Sequence, residues 1–541
     1  MPWVQNYNPL GNAFLSTAVA ALPTVLLFYL LAFRKVRPHF AGFTSAITAI
    51  AIATFVNGMP ARLALASFLF GAFFGWLPIG WIVLNGVFLY NLTVATGQFE
   101  IIKRSVGAVS QDRRLQALLI AFSFGAFIEG AAGFGTPIAI CSALLVGLGF
   151  NPFYAVALCL IANTAPVAFG SLGIPTITLS AVTELPLMPL SQLTGRILPL
   201  TSVVIPLWLV RTMCPWKETL EVLPATLVCG TSFAVTQYYL SNHHGPYLVD
   251  ILGGAFSLVV MVIFLRFWKP RRIWRFEHER GQPYSGSHDH SAKEVVRAWM
   301  PFGFLSLLVL LWGVPSVNQL LNTVTVPLQV PYLHLNVMKT TPVVAKAARE
   351  AAIYNFNWLA ATGTSILLAA TLTATLLGVA FVDLWLLFRK TLGQLMIPLL
   401  TIPAILGLGF VSRYSGLDSI LGLAFTRTGA LYPFFGTLLG WLGVFLTGSD
   451  TASNALFGNL QKVTATQLGL SPSLMATANS CGGVMGKMID AQSIVIGTAA
   501  TNQIGKEGNI FRFVFWHSLA LATIVGMEVF VIAYFLPGII P

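Results

Sequence analysis

The chain has 541 residues, of which 56% are hydrophobic and only 9% charged, where a soluble globular protein carries about 25% charged residues. Its mean hydropathy is +0.79. So little polar material cannot cover so much apolar surface, which excludes a soluble enzyme and a disordered chain; a bilayer removes the difficulty, and the length allows about a dozen spans of about 20 residues.

A formal net charge of +12 would suit a polyanion binder, but its distribution argues against one, and no nucleic-acid partner is expected. Arg34, Lys35 and Arg37 follow the first apolar run. Lys103, Arg104, Arg113 and Arg114 follow the third, and Arg211 and Lys217 come later. The polar stretch 266–297 adds Arg266, Lys269, Arg271, Arg272, Arg275, Arg280, Lys293 and Arg297. These groups hold 17 of the 30 basic residues, and they alternate with loops that offer only Arg62 and Arg196. That is the positive-inside pattern. It places the N-terminus outside and the 266–297 loop in the cytoplasm. Downstream the bias fades, so C-terminal topology rests on counting spans.

Apolar runs cover residues 12–33, 41–56, 67–94, 115–150, 153–182, 197–213, 223–240 and 248–267. After the basic loop come 301–314, 362–381, 395–411, 431–460, 474–500 and 513–535. Backbone groups in lipid must be satisfied within the segment, so helices are expected. The first run lacks a basic flank before it and reads as a span rather than a cleaved signal. The five cysteines show no CxxC or zinc spacing. His288 and His290 could grip a metal, but on a Gly/Ser-rich tether they read more simply as solvated linker. No metal and no other cofactor is expected.

Two stretches break the apolar pattern. Residues 127–137 read F-I-E-G-A-A-G-F-G-T-P, and residues 445–457 read F-L-T-G-S-D-T-A-S-N-A-L-F. A second pair follows, N-T-A-P-V-A-F-G at 163–170 and N-S-C-G-G-V-M-G at 479–486. The landmarks recur at a nearly fixed offset: Gly125 and Gly443, Asn163 and Asn479, Pro78 and Pro398, Gly97 and Gly416, Gly42 and Gly363. An odd number of spans separates the copies, so the repeat is inverted, and inverted repeats with broken helices near the midplane mark secondary transporters. The chain divides into a first transmembrane repeat (1–215), a connecting helix pair (216–267), a basic cytoplasmic loop (268–298) and a second transmembrane repeat (299–541). The expected fold is an all-α polytopic membrane protein of about 12–16 transmembrane helices.

Glu129 and Asp450 stand out, because an intramembrane acid costs about 2.5 kcal/mol or more at a helix centre and is a functional candidate by default. They are not symmetry mates: under the offset, Glu129 faces Thr447 and Asp450 faces Ala132. Lys487 either pairs with Asp490 one turn away or offsets an anion. Arg413, at a span end, reads as a side chain snorkelling to the interface. His517 opens the last span and is a further proton-pathway candidate; Glu528, in the same span, has no evident role. The segment 482–487 fails P-loop spacing, since Met488 follows the Lys. No G-x-S-x-G or H-E-x-x-H motif suggests an enzyme.

The motifs G-A-F-I-E-G-A-A-G-F-G-T-P (125–137), N-T-A-P-V-A-F-G (163–170), L-G-W-L-G-V-F-L-T-G-S-D-T (439–451) and G-K-M-I-D-A-Q-S (486–493) closely resemble the bacterial lactate permease family, which includes L-lactate and glycolate permeases. The resemblance runs from W-V-Q-N-Y-N-P (3–9) to the final span. Asp490, where Ser is usual, and Arg413, where Asn is usual, depart from the pattern, as does Glu528. The resemblance implies proton-coupled uptake of 2-hydroxymonocarboxylates (L-lactate, D-lactate, glycolate) through a multi-pass protein of the bacterial inner membrane. Its partners are then a small carboxylate, protons and membrane lipid, with the oligomeric state open. Beside it stands a physical route from the residues. Helix breaks at Gly130, Gly133 and Gly135, and near Ser449 and Ser453, would aim amide N–H groups at the carboxylate. Asn163, Asn479, Ser449 and Ser453, with Thr164 and Asn454 beside them, would bond the hydroxyl. Lys487 would add positive charge, and Glu129 or Asp450 would carry the proton.

Overall fold

A computed structural model describes every residue except 1, 35, 108, 134, 277–290 and 345, and side chains except also at 32 and 107; His288 and His290 lie outside the described residues. The first half comprises α1 (Ala13–Phe28), α2 (Pro38–Phe55), α3 (Ala61–Phe74), α4 (Trp81–Ala95), α5 (Gln98–Gly107), α6 (Arg113–Ala131), α7 (Thr136–Gly147), α8 (Pro152–Ala162), α9 (Gly170–Thr183) and α10 (Leu187–Met213). A connecting pair follows, α11 (Leu223–His243) and α12 (Val249–Phe267). The second half comprises α13 (Ala292–Gly313), α14 (Thr362–Leu376), α15 (Phe381–Gln394), α16 (Met396–Ser415), α17 (Leu417–Phe425), α18 (Tyr432–Thr447), α19 (Asp450–Gln467), α20 (Pro472–Gly486), α21 (Ala491–Ala500) and α22 (Glu507–Tyr534).

Among the described residues ten helices are long and apolar enough to cross a bilayer, and the bent pair Pro152–Ala162 and Val167–Thr183, at 63°, makes an eleventh. The protein is thus an all-α polytopic membrane protein. That count takes 61–95 and 417–447 as one run each and leaves out the short apolar helices Thr136–Gly147, Thr362–Leu376 and Ala491–Ala500; the two Gly-rich runs fold as hairpins. Beyond the end of α6 at Ala131, α7 packs back against residues 117–124 of α6. After Gly448 (φ +73°), α19 runs back along α18: Ser453 Oγ donates to Gly440 O at 3.2 Å and Gln461 Nε2 to Gly436 O at 2.7 Å. Glycine suits α18 on both sides: a Cβ at Gly443 would strike Ser453 Oγ of α19, and one at Gly440 would strike the backbone carbonyl of Asn479 in α20.

The elements recur along the chain. α3 begins at 61 and α15 at 381; α8 at 152 and α20 at 472; α10 at 187 and α22 at 507; each pair is 320 apart. A single 3-10 turn follows α8 at Val167–Phe169 and α20 at Lys487–Ile489, again 320 apart. Contacts between the halves exchange in the same way. α2 packs on α16 while α14 packs on α4; α9 packs on α19 while α21 packs on α7; α10 packs on α20 while α22 packs on α8. Reciprocal pairing of this kind is what a two-fold relation produces.

Two polar clusters mark opposite faces. On one, Arg114 bonds Asp112 (2.7 Å), Glu218 O (2.6 Å) and Arg272 O (3.0 Å), joining the start of α6 to the loops beyond α10 and α12. The charge pattern assigned these loops to one side. On the other face, strand β1 (Trp3–Val4) pairs in parallel with β3 (Val337–Lys339), next to β4 (Ala348–Arg349); β2 (Val326–Gln329) pairs with β5 (Ile353–Phe356). Here Arg413 is buried rather than snorkelling. It forms an ion pair with Glu184 and another, at 2.7 Å, with Glu350, which also holds Lys339 at 2.5 Å. The reason is that two anions from separate loops enclose it, so its charge is met by protein and not by water.

Candidate functional site

Both helix breaks meet in one cavity. Its volume is about 150 Å3, and it is lined by Glu129 from the end of α6, by Gly170 and Ser171 from the start of α9, and by Thr401 of α16. The tip of the second hairpin adds Thr447, Gly448, Ser449 and Asp450, the turn after α20 adds Lys487, and the start of α21 adds Gln492. Apolar side chains such as Leu31, Ile402 and Ile405 complete it. The backbone opens here because Ser171, Leu172 and Gly173 are all left-handed (φ +46°, +60° and +80°). Two non-glycine residues in that region are costly, so the surrounding packing must hold them. Part of that packing is local: Thr176 Oγ1 donates to Ala168 O across the break at 3.0 Å.

The electrostatics are asymmetric. Asp450 Oδ2 accepts from Ser480 Oγ at 2.5 Å and from Asn454 Nδ2 at 3.3 Å, while its Oδ1 has no partner. Asn454 in turn accepts from Asn479 (2.9 Å), whose carbonyl accepts from Gln461 (3.2 Å), itself bonded to Tyr432 (2.6 Å). Asp450 also occupies the first turn of α19, where the helix dipole favours an anion. Glu129 is held less firmly: its Oε2 is buried with no partner. Lys487 fits both sequence readings. Its Nζ donates to Gly448 O at 2.6 Å, at the carbonyl end of α18, and lies 3.3 Å from Asp490 Oδ2, yet it also lines the cavity. Asp490 caps α21 by accepting from Ser493 N at 2.8 Å.

Of the candidate residues, Glu129, Asp450, Ser449 and Lys487 line the cavity. Ser453, Asn454 and Asn479 stand behind Asp450 in the network above. Gly130 packs on Ile251 and Asp250, Gly133 on Ser171, and Gly135 on Ile496; these three are points of close approach rather than lining. Thr164 bonds Ile161 O (2.7 Å), and Asn163 is buried beside Glu129. His517 lies elsewhere, its Nδ1 accepting from Trp208 Nε1 at 3.0 Å. Sequence reasoning missed Ser171, Thr401, Gln492 and Asp250. Gln492 stood inside a quoted motif, and Asp250 is an acid opening an apolar run, the same signal that exposed Glu129.

A Cβ at Gly170 would sit 2.6 Å from Glu129 Oε1. Gly170→Ala is therefore expected to displace the carboxylate and lower transport at least tenfold, about 1.4 kcal/mol, with folding intact. Uptake at the wild-type rate by a monodisperse Gly170→Ala protein would show that the Glu129 position does not matter.

A small cavity holding two acids and a lysine, built at backbone breaks from both halves of a polytopic helical chain, is the kind of site a membrane transporter uses. The family model for L-lactate permease matches residues 16–536. The chain is 45% identical to an L-lactate permease of Salmonella typhi and 44% identical to that of Bacillus subtilis, covering all of each chain. It is 44% identical to a glycolate permease of Escherichia coli over 99% of both. The chain belongs to the L-lactate permease family and is a multi-pass protein of the bacterial membrane.

Proposed function

We propose that the protein takes up L-lactate and related 2-hydroxymonocarboxylates, D-lactate and glycolate among them, by symport with protons across the cell membrane. The observation that carries this reading is the convergence of Glu129, Asp450 and Lys487 on one small cavity at the helix breaks. A 2-hydroxy acid offers a carboxylate, a hydroxyl and a short apolar tail. Lys487 and the α19 N-terminus suit the first, Ser449, Thr447 and Gln492 the second, and Ile402 and Ile405 the third. The names of the relatives support the substrate class. The proton is carried by Glu129, whose Oε2 is unbonded, while Asp450, which accepts from Ser480 and Asn454 on its other oxygen, anchors the second hairpin.

The recurring elements and exchanged contacts support two inverted-topology repeats hinged about this cavity, the arrangement that permits alternating access. One proton moving with one monoanion carries no net charge, so the membrane potential, about 2.3 kcal/mol per charge per 100 mV, does not contribute. One pH unit then supports about tenfold accumulation.

In proteoliposomes, an inward proton gradient should accumulate labelled L-lactate, and D-lactate and glycolate should compete. Uptake that ignores the gradient but rises with lactate preloaded inside would mean anion exchange and would remove the proton role of Glu129.

A further inference from the structure

We propose that Asp250 is a proton-relay residue that delivers protons to Glu129 from the extracytoplasmic face. The inference rests on the symport reading above. Asp250 lies in the first turn of α12, is 1% exposed, and neither carboxylate oxygen has a hydrogen-bond partner. Its Cβ lies 2.8 Å from where a Cβ at Gly130 would stand, so only the glycine backbone separates it from the Glu129 segment. Glu129 is the charged group that faces it; Glu129 in turn faces Lys487 and Asp490 across the cavity. The Asn163 carboxamide, 3% exposed, lies beside Glu129 and interacts with it. Two buried carboxyl groups thus have unused oxygens in one place, although buried polar groups are in general bonded.

The position gives direction. α12 runs antiparallel to α6, since Ser257 Oγ pairs with Ser123 Oγ at 2.9 Å while Asp250 sits at Gly130. The α12 N-terminus therefore lies at the end of α6 remote from the Asp112–Arg114 cluster, beside the exposed His243 and His244 of the α11–α12 connection. Glu129 reaches the cavity and Asp250 does not. At rest the pair holds one proton, on Glu129, and Asp250 is empty. Glu129 releases that proton into the cavity; Asp250 takes one from outside and passes it to the emptied Glu129, so the pair returns to one proton. The α12 dipole favours the charged form of Asp250, and Asn163 can donate to either carboxylate as it empties.

The test uses the whole protein in proteoliposomes, with Asp250→Asn and Asp250→Glu beside wild type. Each is assayed for gradient-driven L-lactate accumulation, its pH dependence, and lactate counterflow without a gradient. Asp250→Asn should lose at least tenfold in accumulation while keeping counterflow, and Asp250→Glu should accumulate with a displaced pH profile. Wild-type accumulation by Asp250→Asn would overturn the relay and leave symport standing. Loss of counterflow in both variants would assign Asp250 a structural role and overturn it too. Failure of wild type itself to accumulate would remove the symport reading, and the relay with it.

Discussion

Replacing Glu129 with Gln is expected to abolish proton-driven accumulation of L-lactate while leaving exchange across the membrane. Gln fills the same space, so the contact of the side chain with Gly170 and the break at Ser171 persist. What disappears is a group that can take a proton on one side and lose it on the other. With one proton per anion, a one-unit pH gradient gives about tenfold accumulation; the variant should equilibrate at a ratio near one. Proteoliposome uptake with and without the gradient, paired with counterflow, reads both properties. Accumulation by Glu129→Gln at the wild-type level would remove Glu129 from the proton path.

The second large effect is at Glu350. Burial pushes its carboxyl up, but the charges of Arg413 and Lys339 outweigh burial and hold it down at about 2. It sits between Arg413 at 2.7 Å and Lys339 at 2.5 Å, each largely enclosed. Glu350→Gln leaves Lys339 without its ion-pair partner and Arg413 with Glu184, Asp418 lying near both cations, and breaking a buried pair costs about 3–5 kcal/mol. The protein should unfold at a clearly lower denaturant concentration in detergent. A folded-state pKa held below the unfolded value contributes stability above the unfolded value and loses it as pH falls through the folded one. The gap between wild type and Glu350→Gln should therefore be full above pH about 4.5 and shrink toward pH about 2. A gap that is absent at neutral pH, or that does not narrow in acid, would show that Glu350 is not an ion-pair anchor.

Much of this was legible in the chain. The apolar runs, the alternation of Lys and Arg, and the Gly-rich pairs near Glu129 and Asp450 are local properties. The bilayer forces helices on any apolar run, and charge bias in short loops sets their sides. The offset between Gly125 and Gly443 falls two residues short of the 320 by which whole elements recur, so Glu129 stands opposite Ser449, not Thr447, and Asp450 opposite Gly130, not Ala132. Glu129, Asp450, Ser449 and Lys487 were named from sequence because an acid or lysine inside an apolar run has few innocuous explanations. Gly130, Gly133 and Gly135 were expected to line the site, yet they pack against Asp250, Ser171 and Ile496. Sequence shows that a position needs glycine; it does not show which neighbour demands it.

Spacing and composition by themselves determined that the chain spans a membrane, that it repeats, and that Glu129 and Asp450 lie inside apolar runs, because those follow from solvent and from period. The tertiary structure alone decided that α7 and α19 turn back as hairpins, that Ser171 and Gln492 join the cavity, that His517 does not, and that Asp250 lies against the Glu129 segment. Those outcomes depend on which helix faces pack together: Asp250 and Glu129 are 121 positions apart, and only the antiparallel packing of α12 on α6 brings them into one site.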